Sequence, residues 1–223
     1  MIPPPGCVIF DCDGVLVDSE PIAMRLLLET ISDAGVALDP DTGYDRFLGR
    51  SLADTREILA AEFGVTLDDR ALAAMRARLY AAFRAELRPI PWVPETLPRL
   101  NAPFCVASSS QSERIEFSLS LTGLWPQFAG RAFSATLVAR GKPAPDLFLH
   151  AARKMGFAPA DCLVVEDSPA GVEAALAGGM RVVGFLGGGH ARSTAHRNAL
   201  AALAPERMIE DMRALVGIAN GGD

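Results

Sequence analysis

No apolar run in this sequence approaches the roughly 20 residues that a membrane-spanning helix requires. The opening segment MIPPPGC lacks the basic region and long apolar core of a secretory signal, so the expected compartment is the cytoplasm. There is no excess of basic residues: 21 Lys and Arg stand against 27 Asp and Glu, for a formal charge of −6 and a pI of about 5.1. An acidic chain without a basic stripe argues against nucleic acid or an anionic membrane as a principal partner. A small phosphorylated metabolite stays open, because a metal and one or two cations can build a local positive site. The four cysteines, Cys7, Cys12, Cys105 and Cys162, show no close paired spacing and read as small buried hydrophobes in a reducing compartment. Histidine is scarce, with three in the chain and none before His150. No internal repeat occurs, and no low-complexity tract beyond an Ala-rich stretch.

What is present is the composition of a soluble globular protein: 50% hydrophobic and 22% charged residues in 223. That length suits one large domain, or a core with a smaller inserted one. A monomer is the expected state.

Cys7 to Phe10 form an apolar run without helical spacing, as in a fully buried central strand, and the run ends on Asp11. Asp13 follows one residue later, and Gly14 frees the backbone to turn. An isolated Asp-x-Asp is more often a capped surface turn. Here a second apolar stretch, Val15 to Val17, encloses the pair, and charge beside a buried strand needs compensation. A hard cation such as Mg2+ would offset it and leave one carboxylate to act as a nucleophile. Cys12, between the acids, reads as a tolerated spacer.

From Pro21 to about Arg88 the sequence carries helical patterns without a strand signal. One runs from Pro21 to a stop at Gly35. A polar turn spans Asp39 to Gly43, Ser51 looks like the cap of LADTREILAAEFG, and Asp68 opens a long Ala- and Arg-rich helix. Prolines at 89, 91, 94 and 98 close the block. The expected organisation is an α/β core of residues 1–17 and 91–223 with an inserted helical cap, 18–90, hinged over the sheet end. Strand and helix patterns then alternate: strands at Phe104 to Ala107, Phe133, Cys162 to Val165, Arg181 to Leu186 and Met208 to Ile209, with helices between. This alternation predicts a parallel, right-handed Rossmann-like sheet.

Three of these strands end in polar groups: Asp11 and Asp13, then Ser108 at the head of a serine run, then Glu166 and Asp167. If the strands are neighbours the groups converge at one rim, where open α/β sheets hold ligands. Taken singly, a serine run is usually turn chemistry, DSPAG places Ser168 as a helix cap, and a lone lysine such as Lys142 is usually solvated.

The segment Phe10 to Glu20, FDCDGVLVDSE, resembles the first motif of the haloacid dehalogenase superfamily. Ser108, Lys142, and Glu166 with Asp167 occupy the places of its later motifs in order, flanked by KPAPDLF and VVEDSPAGVEAALAGGM. The likeness is greatest to the branch with a helical cap after the first motif, which includes sugar-phosphate phosphatases and β-phosphoglucomutase. It implies phosphoryl transfer, with Asp11 as nucleophile and Asp13 as acid and base. It implies Mg2+ on Asp11, the Asp13 carbonyl and Asp167, with Glu166 assisting directly or through water. Ser108 and Lys142 would bind phosphoryl oxygens together with backbone N–H groups near Cys12, Asp13 and Ser109.

In β-phosphoglucomutase a histidine follows the first motif. The corresponding place here is near Ala23, which favours hydrolysis over mutase chemistry. Substrate choice is expected in the cap, at the loop of Gly49, Arg50 and Ser51. The segments Gly35 to Pro40 and Ala102 to Val106 look like the 6-phosphogluconate phosphatase branch. His190 reads as part of a plain turn. A phosphoacceptor signalling module is the alternative of another class, opposed by the helical insertion and by Asp13.

Overall fold

The computed structural model describes residues 3–48, 52–191 and 193–222. Its sheet has six strands, all parallel, in the order β3-β2-β1-β4-β5-β6. The strands are β1 Cys7–Phe10, β2 Phe104–Ser108, β3 Ala132–Ser134, β4 Cys162–Glu166, β5 Arg181–Phe185 and β6 Arg207–Ile209. β1 and β4 are buried along their whole length, which is why they are continuously apolar rather than alternating. The chain builds outward from β1 through β2 to β3, then crosses back to lay β4 on the other side of β1. The strand order therefore reverses at β1, where such sheets open a crevice. Phe10 aligns with Val106 on β2 and Val165 on β4, and the Asp11 amide donates to the Val165 carbonyl at 3.0 Å.

The chain divides into two compact units, Ser19–Leu87 and the remainder, Met1–Asp18 with Arg88–Asp223. The division falls at 18/19 and 87/88 because residues 88–90 pair back onto the segment leaving β1. The Asp18 amide donates to the Arg88 carbonyl at 3.0 Å and the Ile90 amide to the Leu16 carbonyl at 2.9 Å, with an antiparallel bridge between Val17 and Pro89.

The inserted unit contains helices α1 Glu20–Asp33, α2 Pro40–Phe47, α3 Leu52–Phe63 and α4 Asp69–Glu86. Its own apolar cluster gathers Met24, Ile31, Phe47, Leu59, Val65 and Leu67. Arg25 of α1 reaches Glu86 of α4 at 2.8 Å, and Arg78 of α4 pairs with Glu29 and Asp33 of α1. The polar turn expected at Asp39 to Gly43 is instead the start of α2. Asp39 caps it by accepting from the Thr42 amide at 2.9 Å, Pro40 suits a first helical turn, and Gly43 lets the helix approach Leu28 and Met24 where a Cβ would collide. Asp68 caps α4, as its sequence predicts, through the Ala71 amide at 2.7 Å. Ser51, the expected cap of α3, lies outside the described residues.

Around the sheet lie α5 Val93–Thr96, α6 Ser112–Leu121, α7 Trp125–Phe128, α8 Asp146–Met155, α9 Pro169–Ala177, α10 Thr194–Ala202 and α11 Ala214–Asn220. α8 presents Leu147, Phe148, Ala151 and Ala152 to one sheet face, where Ile9, Cys105, Ala107 and Val164 join them. On the other face Phe10 packs edge-on to Phe104 and Phe128. All four cysteines are buried with free thiols, as expected. Among the described residues no helix is long and apolar enough to cross a membrane.

Candidate active site

The end of β1 delivers Asp11 into a nearly closed environment with 7% of its surface exposed. The chain then turns at Gly14, whose φ of +82° only glycine adopts readily. A side chain there would also overlap Asp167: an added Cβ would lie 1.9 Å from Asp167 Oδ2. The turn thus lets the β1 loop lie directly against the end of β4.

Lys142 enters from the loop before α8. Its ammonium donates to Asp11 Oδ1 at 2.5 Å and to Glu166 Oε1 at 2.7 Å, and lies 4.7 Å from the centre of the Phe148 ring. The other Glu166 oxygen accepts from the Ser168 amide at 2.7 Å and the Ser168 hydroxyl at 3.0 Å. Ser168 in turn caps α9 by accepting from the Gly171 amide at 3.1 Å. The helix-cap reading of DSPAG and its role in the acidic cluster are therefore one arrangement. Asp167 faces His190, with Oδ2 and Nε2 2.8 Å apart.

Asp13 turns toward the loop after β2. Its Oδ2 accepts from the Ser110 hydroxyl at 2.7 Å and its Oδ1 from Arg114 Nη2 at 3.0 Å. Ser108 is buried at the end of β2, where its hydroxyl oxygen accepts from the Ser110 amide at 3.1 Å. Ser109 is exposed. Asp11, Asp13, Ser108, Lys142, Glu166 and Asp167 all lie at the same carboxyl edge of the sheet. Gly49 and Arg50 lie outside the described residues.

Carboxylate oxygens of Asp11, Glu166 and Asp167 lie within 4.8 Å of one another. Burial, with repulsion from Glu166, Asp167 and Asp13, pushes the Asp11 carboxyl well above the usual range despite Lys142. Burial raises Asp167 as well, with Glu166 adding to it and His190 opposing. Burial works against the Lys142 ammonium, but Asp11 and Glu166 outweigh it and hold its pKa above the ordinary lysine value. In the contacts among described residues, four carboxylates thus meet two permanent cations, Lys142 and Arg114. Oxygen donors with surplus negative charge fit a hard divalent cation such as Mg2+. The Cys12 thiol is pushed far up by burial and by the acids beside it, so it is not a thiolate nucleophile.

Residues 5–179 match the family model for haloacid dehalogenase-like hydrolases. The chain belongs to that family. It is 34% identical over 190 residues to the 6-phosphogluconate phosphatase of Escherichia coli K12, a span covering 85% of this chain and 86% of that protein. Among solved structures, a haloacid dehalogenase-like protein of unknown function from Agrobacterium tumefaciens aligns with a TM-score of 0.88 at 35% identity, covering 97% of this chain and 98% of that one. A hydrolase of the family from Deinococcus radiodurans, with bound phosphate and sodium, aligns with a TM-score of 0.80 at 31% identity, covering 97% of each chain. This haloacid dehalogenase-like chain is a phosphoric monoester hydrolase.

Three neighbours of the cluster escape the sequence reading. His190 stands in a turn, as expected, but it is buried and set against Asp167, and the sequence signal for that role is no more than a histidine directly after a triple glycine. Ser110 and Arg114 meet Asp13 across nearly a hundred residues of chain, which no local pattern discloses.

Proposed function

We propose that this hydrolase is a Mg2+-dependent phosphatase of small phosphomonoesters, acting on a sugar phosphate through an aspartyl-phosphate, with 6-phosphogluconate as the first candidate. The observation that carries the proposal is the buried Asp11 carboxylate, held by Lys142 within a group of acids that outnumber their cations. The activity named for the Escherichia coli relative supports the substrate class.

In this reading an Asp11 oxygen attacks phosphorus and the ester P–O bond breaks. Asp13 gives its proton to the departing alcohol oxygen, then accepts a proton from the water that attacks the aspartyl-phosphate, which releases phosphate and restores Asp11. Lys142 and Ser108 bind nonbridging oxygens, and Ser109 contributes backbone. Asp11, the Asp13 carbonyl and Asp167 would hold Mg2+, which supplies positive charge for an anionic substrate. Glu166, with both oxygens engaged by Lys142 and Ser168, keeps the ammonium aimed and assists the cation from behind. Most of the rate comes from such placement, because the charge of a transferring phosphoryl group is spread over its oxygens.

The test is phosphate release from a panel of sugar phosphates, with and without Mg2+, for the parent, Asp11→Asn and Asp13→Asn. Mg2+-dependent release that drops by at least about 10³-fold in Asp11→Asn is expected. Isomerisation of a glucose phosphate without phosphate release would establish a mutase instead, and release from no phosphomonoester would overturn the proposal.

A further inference from the structure

Arg114 stands in the first turn of α6, where a cation meets the positive end of the helix dipole and is mildly disfavoured. Its position therefore needs a compensating partner, and Asp13 Oδ1 lies 3.0 Å from Nη2, with 26% and 13% of the two side chains exposed. Ser110 completes the arrangement at Asp13 Oδ2 and its backbone is itself fixed on two sides. Its amide donates to the Ser108 hydroxyl oxygen at 3.1 Å, its carbonyl accepts from the buried Ser134 hydroxyl at 2.7 Å, and Ser134 also bonds Thr136. The loop between β2 and α6 is thus locked by β2 and β3 and presents two groups to one carboxylate.

We infer that Arg114 and Ser110 are positioning residues that fix the plane of the Asp13 carboxyl for proton transfer to the leaving group; the inference rests on the proposed acid and base role of Asp13. A guanidinium can only donate, so the oxygen it holds, Oδ1, must remain an acceptor. The serine hydroxyl donates to a lone pair of Oδ2 and can go on doing so when that oxygen carries a proton, which leaves the carboxyl O–H free to face the leaving group. Oδ2 is therefore the oxygen that exchanges the proton. As the P–O bond to the alcohol breaks and the Asp11 O–P bond forms, that proton passes to the alcohol oxygen and leaves a carboxylate still held on both sides.

The test compares kcat/KM for glycerol 2-phosphate, whose alkoxide needs a proton, with kcat/KM for p-nitrophenyl phosphate, whose phenolate does not. This parameter stops at phosphoryl transfer to Asp11, so the later hydrolysis does not enter. The ratio of the p-nitrophenyl value to the glycerol value is expected to rise most in Asp13→Asn and by about tenfold or more in Arg114→Met. Arg114→Lys recovers part of that rise. Ser110→Ala, which removes only a hydroxyl, raises the ratio several-fold and carries the test if Arg114→Met fails to fold by circular dichroism. A merely structural role lowers both substrates alike. If Asp13→Asn raises the ratio while Arg114→Met and Ser110→Ala leave it unmoved, the inference is wrong and the phosphatase reading stands. If Asp13→Asn also leaves it unmoved, or the parent cleaves neither ester, the underlying reading fails.

Discussion

Lys142 is the residue on which the acidic cluster balances. A buried lysine ordinarily gives up its proton, and this one keeps it because Asp11 and Glu166 both face it. Lys142→Met should remove the shared cation from two buried carboxylates and lower stability by about 3 kcal/mol, read as a drop in denaturant midpoint. The remaining negative surplus is the charge that the proposed Mg2+ would offset: at a hundredfold excess over its Kd a bound ion would add about 2.7 kcal/mol. The midpoint of thermal unfolding should rise with Mg2+ in the parent and much less in Asp167→Asn. An equal rise in both would remove Asp167 from the binding set. At this scale the sequence discloses the groups that stand beside a strong local signal: an acid ending an apolar strand, a lysine between glycine and proline, an acid pair before a capped helix. Arg114 and His190 carry no such signal. An arginine on a helix and a histidine in a glycine loop look solvated until the fold brings a distant carboxylate to them.

At the scale of elements, the β4 to α9 junction joins structure to the site. Ser168→Ala removes the cap of α9 and one of the donors to Glu166, so it should cost about 1 kcal/mol and also weaken phosphate release. Loss of stability with unchanged turnover would separate the two duties. A second junction is Arg181 on β5, which holds Glu206, just before β6, through contacts of 2.7 and 2.9 Å. The hydrogen bond to Arg181 lowers the Glu206 pKa from its ordinary 4.5. A carboxyl with a lowered folded-state pKa contributes stability that is fully present above the unfolded value and is lost as pH falls through the folded one. The stability gap between the parent and Glu206→Gln should thus be largest above pH 4.5 and close in acid. A gap that is the same at both ends of the titration would contradict this. The sheet strands and α8 are legible because apolar runs and an apolar stripe depend on burial alone. α2 is not, because Asp, Pro and Gly serve a helix start as readily as a turn, and packing of Gly43 against α1 decides between them. The short α5 and α7 lie in proline-containing segments whose periodicity is too brief to read.

At the scale of the molecule, the chain leaves the sheet after β1 and returns before β2 through one pair of adjacent segments, 16–18 and 88–90, joined by hydrogen bonds. The prolines show that a boundary falls near here, while the pairing that sets it is long-range and invisible in sequence. Joining Asp18 to Arg88 by a short turn, with residues 19–87 deleted, should leave a chain that unfolds cooperatively with far-UV circular dichroism of mixed α and β type. A non-cooperative, dye-binding product would show that the sheet unit depends on the insertion.

Because the two ends sit on neighbouring rungs, the fold constrains the intervening sequence only to begin and finish about 5 Å apart. Exchanging or lengthening that sequence leaves the strand order untouched. Selection can therefore rewrite residues 19–87 as a separate text while the aspartates at the sheet edge stay in register, and one hydrolytic centre can be carried unchanged through many changes of what is appended to it.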